Sequence, residues 1–376
     1  LGAPDVVVIG GGVIGLSIAY ALAAERVSVT VLDAGLPGQA SAAAAGMLAP
    51  LAEARREGPF VPLAVESLRL WPLFADQLRD ESEEETKTTP RIAGPGMLRI
   101  ARTQAEEAAL CDALDWQQGF GLPLRRLNAA DLHALEPALG PAVCGGILSP
   151  LECSIEPRLL LQALRAACLK RGVVIHSETT VTDFETSKGR VQAAQTANTR
   201  ISGGAYLITS GAWSQALGLA LGVHFPVQPL RGQMLALGPL HPIPFRHILY
   251  THGGYLVPRA DGRVIAGTTE ERAGFSAQTT KAGIGSIAAR ATALIPSLSD
   301  APRHSVWAGL RPVSADGLPL LGRVPGWENL HVATGHGRNG ILLTPLTARL
   351  MTAHLLQEGA LPLAFNPARF GGSLCH

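Results

Sequence analysis

"VVVIGGGVIGLSIAYALAAERVSVTVLD", residues 6–33, decides the fold. Val6 to Ile9 are four β-branched residues in a row, the mark of a strand buried on both faces. Gly10, Gly12 and Gly15 follow as G-x-G-x-x-G. Leu16 to Ala24 then read as a helix of mostly small and apolar residues ending near Glu25 and Arg26, and Val27, Val29 and Val31 read as the next strand, closed by Asp33. Each part has a physical task. Gly10 permits the tight turn, Gly12 lets backbone approach a pyrophosphate, and Gly15 lets helix and strand pack closely. The helix N-terminus offers free N–H groups and the positive end of a dipole. Asp33, 18 residues after Gly15, stands where a carboxylate accepts hydrogen bonds from ribose hydroxyls. No basic residue directly follows Asp33, which argues against a 2′-phosphate. The order strand, glycines, helix, strand, acid predicts a dinucleotide site in an α/β fold, and leaves NAD and FAD both open.

Composition bounds the rest. The chain has 376 residues, 47% hydrophobic and 16% charged, enough for one large or two ordinary domains with a sizeable core. A net charge of +1 without a basic block gives no nucleic-acid footprint. The acidic run Glu81, Glu83, Glu84, Glu85 reads as a solvated loop. Five cysteines (111, 144, 153, 168 and 375) form no C-x-x-C pair and suggest a reduced, cytoplasmic compartment without a disulfide framework or metal site. Val6 to Ala24 carries no charge over a length that could span a bilayer, but β-branched residues stopping at three glycines make a poor spanning helix. The stretch also lacks the basic front and cleavage site of a signal peptide.

After Asp33 the chain does not run into another regular βαβ unit. It enters "AGLPGQASAAAAGMLAP" (34–50), whose alanines, with Ser41 and Gly46, make a surface almost bare of side chains. Either something large and flat lies on it or it is a plain alanine-rich helix. Downstream, "PRLLLQALRAACLKRG" (157–172) reads as an amphipathic helix with Pro157 at its start and Gly172 at its stop. Val173 to His176 read as a strand, "VTDFETSKGRVQAAQT" (181–196) as a hairpin turning at Lys188-Gly189, and "AYLITSGAWS" (205–214) as a strand returning to the first sheet and turning at Gly211. "HILYTHGGYLVPRADGRVIAGTT" (247–269) alternates and turns at Asp261-Gly262, so residues 223–275 are expected to form an antiparallel sheet. The interleaving predicts two domains: a Rossmann-type one with a parallel sheet from about 1–83, 151–222 and 303–376, and a smaller, antiparallel one from about 84–150 and 223–302.

A second glycine turn, "ATGHGRNGILLTP" (333–345), lies near the other end of the chain. With "SVWAGLRPVSADGLPLLG" (305–322), "SAAAAGML" (41–48), "SGAWS" (210–214) and "LRGQML" (230–235), it resembles the FAD-dependent D-amino-acid oxidase family, and within it the glycine oxidase branch of bacterial thiamine thiazole synthesis. The similarity covers nearly the whole chain and is loosest over 84–150. It implies an enzyme in which the first turn holds the pyrophosphate of FAD and the second faces the flavin ring. A helix starting near Gly340 would aim its N–H groups at the N1/O2 edge, where reduction places negative charge. The implied cofactor set is Gly10, Gly12, Val13, Ile14, Gly15, Asp33 and Ala34 near the first turn. Ala40, Ser41, Ala45, Gly46 and Met47 follow, then Val181 and Gly211. At the second turn the set is His336, Gly337, Arg338, Asn339, Gly340, Ile341 and Leu342.

The resemblance also places a substrate carboxylate on Arg311 and Arg338, with the Tyr255 hydroxyl assisting, because a guanidinium is the natural bidentate partner of a carboxylate. The implied reaction is hydride transfer from the α-carbon of glycine, sarcosine or a small D-amino acid to flavin N5, giving an oxo acid, ammonia and, with oxygen, hydrogen peroxide. No general base is required. Some members carry His-x-Tyr where this chain has His252-Gly-Gly-Tyr255, which displaces His252. Thr269 stands where a bulkier apolar residue can line the pocket, so larger substrates are expected to enter. Related enzymes attach FAD to a cysteine near the second turn; none is there and Cys375 is in the tail, so FAD is expected to be non-covalent. A homo-oligomer is expected. A quinone-reducing dehydrogenase of the same fold and a non-catalytic FAD-binding subunit are the alternatives.

Overall fold

A computed structural model describes residues 2–54, 56–86 and 90–371, without the side chains of 83–86. Its frame is a six-stranded sheet in the order 320–323, 330–334, 205–208, 6–9, 29–32, 174–176. Val6–Ile9 sits inside it, wholly buried, and pairs in parallel with Val29–Leu32 on one side and Ala205–Ile208 on the other. Only the outermost pair, Leu320–Arg323 with Leu330–Thr334, is antiparallel. The segment that could have been mistaken for a membrane span is thus a strand followed by a helix, and no helix among the described residues is long and apolar enough to cross a membrane.

The first helix runs Val13–Ala24, three residues earlier than the apolar pattern alone indicated, because the turn needs only Gly10 to Gly12. Gly10 has φ +120°, and a Cβ there would lie 2.6 Å from the Thr209 carbonyl oxygen. A Cβ on Gly15 would lie 2.0 Å from the Gly10 carbonyl oxygen, so that glycine sets how closely the helix lies on the turn. The helix packs between Pro157–Lys170 and Thr344–Leu355 and is buried along most of its length. Pro157 opens its helix, and Gly172, at φ +80°, follows the end.

The second frame is an eight-stranded, mainly antiparallel sheet, ordered 303–314, 227–237, 264–267, 254–258, 248–251, 97–101, 145–149, 125–128. The Asp261-Gly262 hairpin forms, with Gly262 at φ +86° and the Arg263 N–H donating to Asp261 Oδ1. Ile248–Thr251 departs from the expected pattern by pairing in parallel with Met97–Ala101. Arg303–Ser314, which the sequence grouped with the cofactor unit, runs along the whole of Val227–Leu237 and so belongs to this second sheet. It delivers residues 309–312 from the second sheet to the edge of the first, where Leu310 N–H bonds the Gly38 carbonyl.

The acidic run is not a loop. Its backbone continues the helix Phe60–Thr86, and Glu81 is half-buried in an ion pair with Arg171, sharing a hydrogen bond with Tyr20. Arg171 also stacks over the Tyr20 ring, so Glu81 closes a tertiary contact that charge patterning cannot reveal.

Candidate active site

A cavity opens at the C-terminal ends of Val6–Ile9 and Val29–Leu32 and reaches residues of the second sheet. The crevice beyond the carboxyl ends of parallel strands is where open α/β sheets bind ligands. At one end it is lined by Gly10, Gly12, Val13, Ile14, Asp33 and Ala34; along its length by Ala40, Ser41, Ala45, Gly46, Met47, Val181 and Gly211; at the other end by Tyr255, Arg311, His336, Gly337, Arg338, Gly340 and Ile341.

The dinucleotide end fits such a cofactor. The first helix has no acidic residue in its first turn and no side-chain cap from Gly12, which leaves its positive end uncompensated. One of its N–H groups, that of Val13, is taken by Ser41 Oγ at 3.1 Å. Side chains would fill the floor: a Cβ on Gly11 would stand 2.8 Å from Asp33 Cβ, and one on Gly12 3.1 Å from Ser41 Oγ. Asp33 accepts from Gln39 Nε2 at 3.2 Å, which orients its carboxylate. Beyond it the alanine-rich segment forms only a four-residue helix, Ala40–Ala43, then turns extended at Ala44 and exposes bare backbone to the cavity. Gly309 lies so close to this wall that its Cβ would meet Ala43 Cβ at 2.4 Å.

The second glycine turn differs from expectation in one respect. The helix begins at Thr344, not near Gly340, and residues 340–343 form a turn leading into it. Pro345 occupies the first turn of that helix, where a missing N–H costs nothing. Among the described residues, the N–H groups of Gly340 and Ile341 have no hydrogen-bond partner, and both residues line the cavity. The anion-favouring end is therefore a turn rather than a helix start. His336 is buried, touches Thr347 Oγ1 through Nε2, and is held neutral because burial pushes its pKa down to about 3.

Arg311 lies against Gly232, where a Cβ would stand 2.3 Å from its guanidinium. Its Nη2 donates to Thr268 Oγ1 at 2.7 Å and its Nη1 to the Thr269 carbonyl at 3.2 Å. No carboxylate pairs with it among the described residues, and burial lowers its pKa. Tyr255 is buried beside it, its hydroxyl 3.4 Å from Met234 Sδ, with burial raising its pKa. Arg338 is differently placed: Nε meets Glu53 Oε2 at 2.5 Å and Nη1 meets Glu270 Oε1 at 3.1 Å. Burial opposes its charge, yet the Glu53 and Glu270 carboxylates outweigh that and hold its pKa above the usual value.

Four expected residues do not line the cavity. Gly15 packs beneath the first turn. Leu342 gives its carbonyl to Ser67 and Trp71. Asn339 shapes the second turn through backbone bonds to His336 and Leu343. Thr269 supports Arg311 by its carbonyl rather than facing the cavity, so it does not enlarge the pocket. His252 is exposed in the hairpin turn, away from the cavity. Conversely, Glu53, Trp213, Gly232 and Met234 line it without having been singled out. A clue to Glu53 lay in the sequence: it is the first charge after the small-residue stretch. Cys375 lies outside the described residues; the four described cysteines are unpaired, and burial pushes the thiols of Cys153 and Cys168 up to about 12.

A dinucleotide-type turn on a parallel sheet and an arginine-lined chamber on a second sheet share one cavity, the arrangement of a dinucleotide-dependent oxidoreductase. The family described as FAD dependent oxidoreductase (DAO) matches residues 5–354, and the chain belongs to it. The chain is 34% identical to the glycine oxidase of Geobacillus kaustophilus over 94% of its own length and 93% of that protein. The crystal structure of that enzyme superposes with a TM-score of 0.90, at 32% identity, over 100% of this chain and 99% of the other. It is also 36% identical to the bifunctional protein ThiO/ThiG of Synechocystis, covering 97% of this chain and 54% of that one. The protein is thus an FAD-dependent enzyme with a glycine-oxidase-like fold.

Proposed function

We propose that the protein oxidatively deaminates glycine, and also sarcosine and small D-amino acids, yielding an oxo acid (glyoxylate from glycine and sarcosine), ammonia (methylamine from sarcosine) and hydrogen peroxide. The observation that carries this reading is Arg311: a partly buried guanidinium, unpaired with any carboxylate among the described residues, in the same cavity as the dinucleotide turn. An arginine facing a cavity and hydrogen-bonded only to neutral groups is a receptor for an incoming carboxylate. FAD, held by the glycine turn at Gly10 to Gly12, Asp33 and the wall of Ala40, Ser41 and Gly46, would supply the two-electron oxidation of the α-carbon and its coupling to oxygen.

The chain's own residues bind and orient the substrate. Thr268 and the Thr269 carbonyl fix the guanidinium plane, so that a carboxylate docked on it has its α-carbon in one place. Tyr255 adds a buried hydroxyl beside it. Met234 and Trp213 add apolar surface to the cavity wall. His336 stays neutral, so no titrating base stands at that wall. Neutral amine is the reactive form of the substrate, and solvent can take its proton before binding. FAD is held non-covalently, the reaction runs in the cytoplasm, and its product serves thiamine thiazole synthesis, the last supported by the similarity to ThiO/ThiG.

Peroxide release from the purified yellow protein in air-saturated buffer tests this reading, with glycine, sarcosine and D-alanine as substrates. Turnover of glycine with stoichiometric peroxide is expected. Flavin bleaching by these amines under anaerobiosis without peroxide in air would replace the oxidase with a dehydrogenase. Absence of both would overturn the catalytic reading.

A further inference from the structure

The loop carrying Glu53 is gripped from behind by buried side chains. The N–H groups of Leu51 and Ala52 both donate to Glu152 Oε1, at 2.7 and 3.0 Å. The Leu51 carbonyl accepts from Gln117 Nε2 at 2.9 Å, and Gln117 Oε1 accepts from Arg99 Nη1 at 2.6 Å. Arg99, Gln117 and Glu152 are 3%, 0% and 1% exposed, so this cluster is sealed from solvent. Burial lowers the Arg99 pKa, and the Glu152 carboxylate opposes that effect only in part. Arg99 belongs to the strand Met97–Ala101, and Glu152 follows the strand Gly145–Ser149, both in the second sheet. Burying a carboxylate and a guanidinium off the reaction path is costly, and leucines would fill the space with less penalty.

The loop's next residue explains the arrangement. Glu53, whose side chain is 5% exposed, meets Arg338 at 2.5 Å in the cavity that holds Arg311. Its own N–H is tied back to the Ala49 carbonyl. Fixing the 51–52 peptides therefore fixes where the Glu53 carboxylate begins. We infer that Glu152 is a positioning residue: by holding the Leu51 and Ala52 amides it sets Glu53 against Arg338, and so fixes the charge that a substrate carboxylate meets beside Arg311. This rests on the reading of the cavity as an amino-acid oxidase site. With Glu53 and Glu270 in place, the Arg338 charge is offset and Arg311 alone attracts the anion. With Glu53 displaced, Arg338 adds to the attraction.

Sodium acetate, titrated into the FAD-loaded enzyme and followed by the flavin absorbance change, reads that charge without turnover. Glu53→Gln should tighten acetate binding by about three- to tenfold, the loss of one nearby buried carboxylate. Glu152→Gln should tighten it in the same direction, and adding it to Glu53→Gln should change nothing further, because it acts through Glu53. Gln117→Met, which releases the Leu51 carbonyl instead, should behave as Glu152→Gln does and replaces it in the comparison if that variant does not fold. Wild-type acetate affinity in Glu152→Gln and Gln117→Met with full FAD content, or additive effects in the double variant, would overturn the inference while leaving the proposed function standing. Acetate failing to perturb the wild-type flavin would remove the carboxylate site itself, and the inference with it.

Discussion

Arg338 Nε stands 2.5 Å from Glu53 Oε2, whereas Arg311, lining the same cavity, pairs with no carboxylate among the described residues. Two arginines that look alike in sequence therefore do different work. One is a compensated charge within a carboxylate pair of contacts; the other is held by a threonine hydroxyl and a backbone carbonyl with its charge available.

Arg311→Ala should leave FAD content near normal and raise KM for glycine steeply. Losing a charge-assisted clamp is expected to cost about 2–4 kcal/mol in kcat/KM. Arg311→Lys should recover only part of this, since an ammonium cannot match a carboxylate with two parallel bonds. Steady-state kinetics on FAD-loaded variants checks both; unchanged kinetics in Arg311→Ala would take the residue out of the site.

Arg338→Ala should damage folding more than Arg311→Ala does. It takes the Arg338 guanidinium away from the buried Glu53 carboxylate, and removing one partner of a buried pair costs on the order of 3 kcal/mol. Urea unfolding midpoints of the two variants, compared under saturating FAD, give the order. A double variant Arg338→Ala with Glu53→Ala should regain much of the lost stability.

Gly15→Ala should be poorly tolerated and should lower FAD retention, because its Cβ would stand 2.0 Å from the Gly10 carbonyl oxygen and 2.6 Å from Thr209 Oγ1. The first helix would have to lift from the turn that cradles the pyrophosphate. Gly285→Ala is the contrast: it lies within the helix Lys281–Leu294 with nothing within 4 Å of its Cβ, so it should stabilise by about 0.5–1 kcal/mol. Thermal melts and bound-flavin absorbance distinguish the two.

Stability should fall as pH drops below neutrality. Burial lowers the pKa of His331 to about 4, with His354 and Arg323 adding to it, and that of His336 to about 3. In the unfolded chain both sit near the ordinary histidine value of 6.5, so the unfolded state binds protons first as pH falls. Their contribution is complete above about pH 6.5 and is lost progressively as pH falls, toward pH 4 for His331 and toward pH 3 for His336, by roughly 3 and 5 kcal/mol at the limit. His331→Gln should flatten the pH dependence of the melting temperature over that window. An unchanged slope would show that His331 is not the group titrating.

The legible part of the fold was its local grammar. Val6 to Ile9, the three glycines, Pro157, Gly172 and the Asp261-Gly262 turn each specify backbone geometry through their own sterics, and each appears where expected. The illegible part was contact between distant segments. Glu81 looked like a loop residue because its partner, Arg171, comes from another helix. The parallel pairing of Ile248–Thr251 with Met97–Ala101 depends on a crossover that alternation cannot encode. In the site, Arg311 and Tyr255 were found through motifs, but the support for Arg311 comes from Thr268 and Thr269, and the partner of Arg338 from Glu53, each remote in sequence.

The sequence by itself determined that this protein has a dinucleotide turn, because a strand, spaced glycines, a helix start and a carboxylate form one covalent run whose geometry needs no distant partner. Only the tertiary structure decided which of two arginines keeps an available charge. That depends on Glu152, just past a strand of the second sheet, and Gln117, at the end of the helix Gln104–Gln117, meeting the back of the loop that presents Glu53, since charge compensation acts over a few ångströms of space and is blind to distance along the chain.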